Sequence, residues 1–421
     1  MRHKTTTAAA AALSGALLLA ACGQAGPTAQ TGEDELTDGK VVLGVLNDQS
    51  GVYKDLSGPN SVEAVKMAVE DYKAEYGDDA VATEIEVITA DHQNKPEVAN
   101  TKAQEMYDRN KADAIFDVPA SSAALAVATQ AKENKKLYFN IGAATTELTG
   151  AQCNKYTFHY AYDTYMLANG TGKTVTEQGG TNWSIIYPDY AFGQDMTKSF
   201  TTAIEGSGGA VVEAIPTPFP NDNFATFLTK AAASNPDVIG SMQAGGDLIN
   251  FVKQYNEAGL RDQGIELAVG LMFITDINSL GVDQFAGTTF TEAWYWNYDD
   301  ENREWADRFM EITGTRPSFA HAANYSAAKQ YLDAVQRAGT DDADAIVSEL
   351  QGYKVNDVFL RNGEFRAEDN RVVHDAYLAK VKDEASVSED WDYEEILATI
   401  DASEAFRPVE DSIAAGCNLG S

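Results

Sequence analysis

Hydroxyls, small residues, aromatics and one carboxylate gather in a few short segments of this chain. They are Ser121-Ser122, Gly142-Ala143-Ala144-Thr145-Thr146, Asp189-Tyr190-Ala191-Phe192-Gly193 and Ala244-Gly245-Gly246-Asp247. Such residues at the start of a helix suit an anion, because the first N–H groups lack helical partners and lie at the positive end of the dipole. The bland alternative is that they are caps and turns, Ser121 and Ser122 serving at minimum as N-caps. That alternative weakens if several of the segments share one edge. Bond-breaking chemistry lacks its usual parts. Gly170-Thr171-Gly172-Lys173-Thr174 ends like a phosphate loop, but Leu167 stands where the first Gly is required and no apolar strand precedes it. Gly206-Ser207-Gly208-Gly209 has the wrong spacing for a nucleophile elbow. His3, His92, His159, His321 and His374 are scattered, without HExxH or a Cys/His cluster. Acidic residues are so abundant that carboxylate pairs carry no information. No catalytic residue, metal site or cofactor is expected, and the chain reads as a binder rather than an enzyme.

These segments must be held by something regular, and the pattern supplies it. Val41 to Leu46 is an unbroken apolar run, as in a strand covered on both faces. Val62, Val65, Val69, Tyr72 and Tyr76 follow at helical spacing. Strands at Glu84 to Ala90, Ala114 to Val118 and Leu137 to Ile141 alternate with helices that begin at Pro96 and Ser121. The rhythm then restarts. Helices at Thr164 to Glu177, Phe192 to Glu205, Phe224 to Ser234 and Asp247 to Ala258 alternate with strands near Trp183, Ala210, Val238 and Leu267. The expected fold is α/β, with two similar lobes, each a parallel sheet flanked by helices, joined by a multi-strand hinge. Residues 40–162 with 274–353 are assigned to the first lobe, and 163–273 with 354–421 to the second lobe and tail. Helices at Glu301 to Thr313 and Phe319 to Gly339, and short strands at Lys354 to Leu360 and His374 to Val381, complete it. Loops after parallel strands collect at one sheet edge, where open α/β folds bind ligands. The aromatic-rich stretch from Tyr156 to Tyr165 falls where the chain crosses between lobes.

The beginning of the chain reads as an export address. Arg2 and Lys4 precede an apolar run from Ala8 to Leu19, and Leu19-Ala20-Ala21-Cys22 closes it. This matches a bacterial lipoprotein signal: residues 1–21 are the leader, Cys22 takes the lipid, and 22–39 form a polar tether to the outer face of the cytoplasmic membrane. With Cys22 lipidated, Cys153 and Cys417 remain as a pair, for which a disulfide is expected over two separate thiols. The chain has 31 Lys plus Arg against 64 Asp plus Glu, a net charge of −33, which repels nucleic acid. With 44% hydrophobic residues it is not an acidic disordered chain.

At its loops the sequence resembles the branched-chain amino acid type solute-binding proteins of ABC importers, the Leu/Ile/Val-binding family with the type I periplasmic fold. The resemblance runs from about Lys40 to Val381. It rests on Gly44 through Ser50-Gly51, Ser121-Ser122, Gly142-Ala143-Ala144-Thr145 with Glu147-Leu148-Thr149, and Phe192-Gly193. It implies that Ser121, Ser122, Ala143, Ala144 and Thr145 hold a ligand carboxylate and that Phe192 packs on the ligand. Asp247 stands where the family usually has a longer Glu that meets an ammonium group, and Tyr53 or Leu56 replaces an aromatic lid. It further implies clamp closure on a small amino acid or related carboxylate, by a monomer that docks on permease subunits. The segment from Tyr138-Phe139-Asn140 to Asp163-Thr164-Tyr165, with Cys153, is similar to a subgroup that includes binders of other small carboxylates. Amine-free keto or aromatic acids, amides or urea are therefore alternative ligands, and a ligand-sensing receptor is an alternative role.

Overall fold

The computed structural model describes residues 36–420. The leader, Cys22 and most of the tether lie outside the described residues. Strand β1 (Val41–Asn47) is buried along its whole length, as its apolar run requires. It is followed by α1 (Asn60–Tyr76), β2 (Ile85–Asp91), α2 (Pro96–Gln104), β3 (Ala114–Asp117), α3 (Ser121–Asn134), β4 (Leu137–Asn140) and β5 (Thr157–His159). The strands make a parallel five-stranded sheet of order β2-β1-β3-β4-β5. Pro96 takes the first turn of α2, where its missing N–H costs nothing.

A second unit starts with α4 (Thr164–Leu167) and α5 (Lys173–Glu177), joined through a wider helical turn at Ala168–Gly172. That turn explains the phosphate-loop look-alike. A Cβ on Gly170 would lie 2.1 Å from Thr291 Oγ1, so glycine permits close packing there. Then come β6 (Asn182–Pro188), α6 (Ala191–Gly206), β7 (Ala210–Thr217), α7 (Ala225–Ala233), β8 (Val238–Ser241), α8 (Gly245–Glu257) and β9 (Glu266–Val269), forming a parallel sheet of order β7-β6-β8-β9. Leu248, Phe251, Val252 and Tyr255 recur at helical spacing and form the buried face of α8. Helices α9 (Ile274–Leu280) and α10 (Val282–Phe285) add Ile277 and Phe285 to the same apolar cluster.

The rest of the chain passes back and forth. Strand β10 (Thr289–Glu292) leads to α11 (Asp300–Thr313), α12 (Phe319–Ala338) and α13 (Ala343–Leu350). Helix α12 lies along α1, with Tyr72 donating to Gln336 Oε1 at 2.6 Å. Strands β11 (Lys354–Val355), β12 (Gly363–Phe365) and β13 (Val372–Val373) make a small antiparallel sheet, and Phe365 packs on Phe158 and Tyr160. The expected strand through Leu360 stops at Val355, because Asp357 turns the chain by accepting the N–H groups of Phe359 and Leu360. Strand β14 (Ala376–Val381) pairs with β10 on one side and with β15 (Glu394–Ile400) on the other in an antiparallel sheet. Short helices α14 (Ala402–Ala405) and α15 (Val409–Ala414) form the tail, which Cys417 ties to Cys153 by a disulfide. Segments 160–163, 293–299 and 374–375 thus run between the groups of elements built around the two parallel sheets. Buried Arg371, just before β13, fixes the first of these, donating to His159 O at 3.0 Å and Tyr162 O at 3.3 Å beside Asp163. Among the described residues no helix is long and apolar enough to cross a membrane.

Candidate functional site

In both parallel sheets the strand order reverses in the middle, at β1/β3 and at β6/β8, and the loops beyond those strands meet. The loop after β1 is shaped by Asp48, which accepts the N–H groups of Gly51 (2.7 Å) and Tyr53 (2.8 Å). This fixes Tyr53 against the other lobe. At the end of β3, Asp117 and then Val118 adopt left-handed backbone angles (φ 82° and 64°), a strained turn of the kind that concentrates at functional sites. Asp117 is buried and accepts from Asn47 Nδ2 at 3.0 Å; burial pushes its carboxyl up to about 6.

Helix α3 begins at Ser121, and the N-cap position belongs to Ala120, which has no side chain to cap with. The serines are therefore not N-caps; they occupy the first helical turn. Ser121 is fully buried and its Oγ has no hydrogen-bond partner among the described residues. Ser122 beside it is half-buried. The loop after β4 presses against this turn: a Cβ on Gly142 would lie 2.6 Å from Pro119 Cα. Its backbone is held from behind. Gly142 O accepts Tyr162 OH at 2.7 Å, Ala143 O accepts Asn140 Nδ2 at 2.7 Å and His159 Nε2 at 3.0 Å, and Ala144 O accepts Thr164 N at 2.9 Å. Thr145 Oγ1 caps the next turn through Glu147 N at 3.3 Å.

The second lobe contributes aromatics and one acid. Tyr190 OH meets Tyr53 OH at 2.6 Å, and the Tyr190 ring stacks on Phe219 at 4.4 Å. Phe219 also lies 5.4 Å from Tyr53, and Phe192 lies 5.9 Å from Tyr190. Gly246 N donates to Val52 O at 3.0 Å, and Gly245, with φ 55°, lets the two backbones approach. Asp247 is buried in the first turn of α8; its Oδ2 accepts Asn221 N at 2.9 Å, and burial pushes it up to about 7, with Asp222 adding. Burial pushes the Tyr53 hydroxyl far up, and the charges of Tyr190, Asp247 and Tyr162 add to it. Tyr162 joins the two halves: its hydroxyl donates to Gly142 O, and burial raises it, with Tyr190 and Asp117 contributing.

The structure thus brings Tyr53, Phe192 and Asp247 into one patch, and Ser121, Ser122 and Ala143 to Thr145 into another, with Tyr162 between them. Sequence reasoning missed Phe219, which sits in an irregular loop with no periodic signal. It also missed the histidines. His159 holds Ala143 O, His321 holds Ser57 O at 2.8 Å, and His374 holds Ala161 O at 2.6 Å. Burial pushes all three below their ordinary range, so they are neutral scaffolding. A separate cavity of about 640 Å³ is lined by Thr146, Tyr165, Asp195, Lys198 and Arg407 among others, and none of the expected ligand residues lines it.

Comparison with known proteins places this geometry. The sequence profile of the family described as periplasmic binding protein matches residues 40–386. A periplasmic binding protein from Burkholderia mallei is 39% identical, with a TM-score of 0.83 over 87% of this chain and 96% of that one. A branched chain amino acid ABC transporter periplasmic ligand-binding protein from Burkholderia xenovorans is 34% identical, with a TM-score of 0.78 over 88% and 98% of the two chains. The fold is shared by a solute binding protein of an ABC transporter from Rhodopseudomonas palustris, solved with 3,4-dihydroxybenzoic acid, at 24% identity and a TM-score of 0.76 over 86% and 98%.

Proposed function

The chain belongs to the periplasmic binding protein family, and from that premise we propose that it is the lipid-anchored, ligand-capturing subunit of an ABC importer. Its relatives are solute-binding proteins of the extracytoplasmic space, not enzymes, and this chain binds rather than converts. In our reading Cys22 carries the lipid, and a small amino acid or related carboxylate is held between the lobes. The closed form is what the membrane permease receives.

Ser121 carries the reading. A buried hydroxyl without a partner costs about 1–3 kcal/mol. It stands in the first turn of a 14-residue helix whose cap residue offers no side chain. A carboxylate placed there accepts the Ser121 hydroxyl, the Ser122 side chain and the free amides of the turn, with the helix dipole favouring its charge. Ala143, Ala144 and Thr145 wall the same end. Tyr53 and Phe192 supply apolar faces, and closure buries them on the ligand. The ligand stabilises the closed form only through contacts that the open form lacks.

A second ligand class is favoured by one observation at the other end. Asp247 already spends one oxygen on Asn221 and is held up to about 7, so it is a weak partner for an ammonium group. The Tyr53, Tyr190 and Phe219 rings beside it suit an aromatic acid such as the 3,4-dihydroxybenzoic acid bound by the Rhodopseudomonas relative. A thermal-shift panel tests both: leucine, isoleucine, valine, their keto acids, 4-hydroxybenzoate and urea. Only a compound that binds the native state raises the melting temperature. A rise with leucine but not its keto acid assigns Asp247 to an amine. A rise with the amine-free acids alone assigns carboxylate uptake, and a rise with none of them removes the proposal.

A further inference from the structure

Asp195 stands on α6 one turn beyond Phe192 and is only 8% exposed. No cation pairs with it among the described residues. Its carboxylate accepts Thr146 N at 2.7 Å and Thr146 Oγ1 at 3.0 Å, and it accepts Thr164 Oγ1 at 2.7 Å. Thr164 Oγ1 also meets Ser199 Oγ at 2.9 Å. Thr146 belongs to the loop after β4, in the first lobe, whereas Asp195, Thr164 and Ser199 belong to the second. The carboxylate therefore reaches across the seam with two of its hydrogen bonds and stays anchored to its own lobe by the third.

The neighbours in sequence give this bridge its meaning. Thr146 directly follows Ala143-Ala144-Thr145, which wall the carboxylate end of the proposed ligand site. Asp195 follows Phe192 by three residues, one helical turn, so both project from the same side of α6. We propose that Asp195 is a positioning residue for ligand capture: its hydrogen bonds to Thr146 form as the lobes close, set the Ala143 to Thr145 loop in register with Phe192, and slow ligand release. The inference rests on the reading that the ligand lies between the lobes. Opening the seam separates Thr146 from Asp195, and water must replace a backbone and a hydroxyl donor on a nearly buried charge. Hydrogen bonds to charged groups are among the stronger ones. Because Asp195 touches only protein, its effect on release is the same for every ligand the cleft accepts. This separates it from Asp247, whose effect depends on ligand chemistry.

The test uses the full chain, with Asp195→Asn as the main variant. Asn keeps the size but offers one accepting oxygen, and its NH2 faces a donor. Stopped-flow binding of leucine and of 4-hydroxybenzoate, whichever binds the wild type, gives the two rate constants. The expected result is koff raised by about 10- to 100-fold with kon changed by less than about 3-fold. Asp195→Glu, which keeps the charge, recovers part of the loss. Thr146→Val, which removes the hydroxyl donor and keeps the shape, raises koff by a smaller factor, and it serves if Asp195→Asn fails to fold. In parallel, Lys132→Cys and Lys253→Cys, on exposed faces of α3 and α8, carry a dye pair that reports lobe separation. Asp195→Asn shifts that distribution toward wider separations. Unchanged koff together with an unchanged distribution overturns the inference, as does a loss confined to kon. If the wild type binds neither probe, the functional reading has failed, and the dye-pair comparison alone decides the role of Asp195.

Discussion

Glu292 ends β10 and Glu394 begins β15, on either side of β14, and each is only 2% exposed. Glu292 Oε1 accepts the N–H groups of Ala293 (2.9 Å) and Trp294 (3.3 Å), the first residues of a segment that connects the lobes. Glu394 has no hydrogen-bond partner for either carboxyl oxygen among the described residues. Burial raises Glu292 from its ordinary 4.5 to about 8. Burial and then the charge of Glu292 push Glu394 well up, Asp392 adding and Lys382 opposing. The folded protein therefore keeps protons that the unfolded chain releases once the pH exceeds its ordinary 4.5. Between about 4.5 and 8 the native state binds more protons, so stability falls as the pH rises, by about 1.4 kcal/mol per pH unit for each linked proton. Glu394→Gln removes one such proton, and its amide can donate to Glu292. At pH 5 the variant and the wild type should differ by less than about 1 kcal/mol, since both carry a neutral side chain there. At pH 8 the variant should be the more stable of the two, because the unfolded wild type releases a proton that burial makes the folded Glu394 keep. Melting temperatures followed by circular dichroism between pH 5 and 8 read this as a gap that opens by several degrees. Parallel melting curves, or a gap that closes with rising pH, would refute a protonated buried pair.

Other outcomes follow from the same geometry. Ser121→Ala should leave the ligand-free melting temperature unchanged or slightly raised, because it removes an unpartnered buried hydroxyl, while weakening ligand affinity by about 10-fold in calorimetric titration. Asp247, held up to about 7, becomes neutral below that pH. An amine-free acid should then bind more tightly at pH 6 than at pH 8 and an amino acid more weakly, and Asp247→Asn should abolish either trend. The Cys153–Cys417 bridge spans 264 residues, so Cys153→Ser with Cys417→Ser should lower stability by about 2–5 kcal/mol, read as a lower denaturation midpoint. An unchanged midpoint would mean that the tail is held by Arg407, which donates to Thr146 O and Thr149 O, rather than by the bridge.

What could be read from the residues followed from periodicity. The run from Val41 to Leu46, the spacing of Val62 to Tyr76 and the restart near Thr164 identify two parallel sheets, because burial on both faces leaves an unbroken apolar signature. Strand β5 carries Thr157-Phe158-His159, too short for any pattern, and β15 alternates Glu394-Glu395-Ile396-Leu397 with no clean period. Strand β5 is fixed by pairing with β4 and by the bridge from His159 to the distant Arg371, and β15 by pairing with β14. The site followed the same division. Ser121 and the Gly142 to Thr145 loop stand out because parallel strands deliver their loops to one edge. Asp195, Phe219 and His159 act through partners that only the folded chain brings near, so no local spacing marks them. The expectation that the serine pair caps its helix failed because Ala120, one residue earlier, has the extended backbone of a cap.

The claim that most needs testing is that a carboxylate is held at the first turn of α3 between the two lobes. Isothermal titration should compare an acid that raises the melting temperature with its own primary amide, leucine with leucinamide or 4-hydroxybenzoate with 4-hydroxybenzamide. The account predicts that the acid binds and that the amide binds at least about 100-fold more weakly, since charge-assisted hydrogen bonds at the helix end are lost. An amide that binds as tightly as its acid would contradict it.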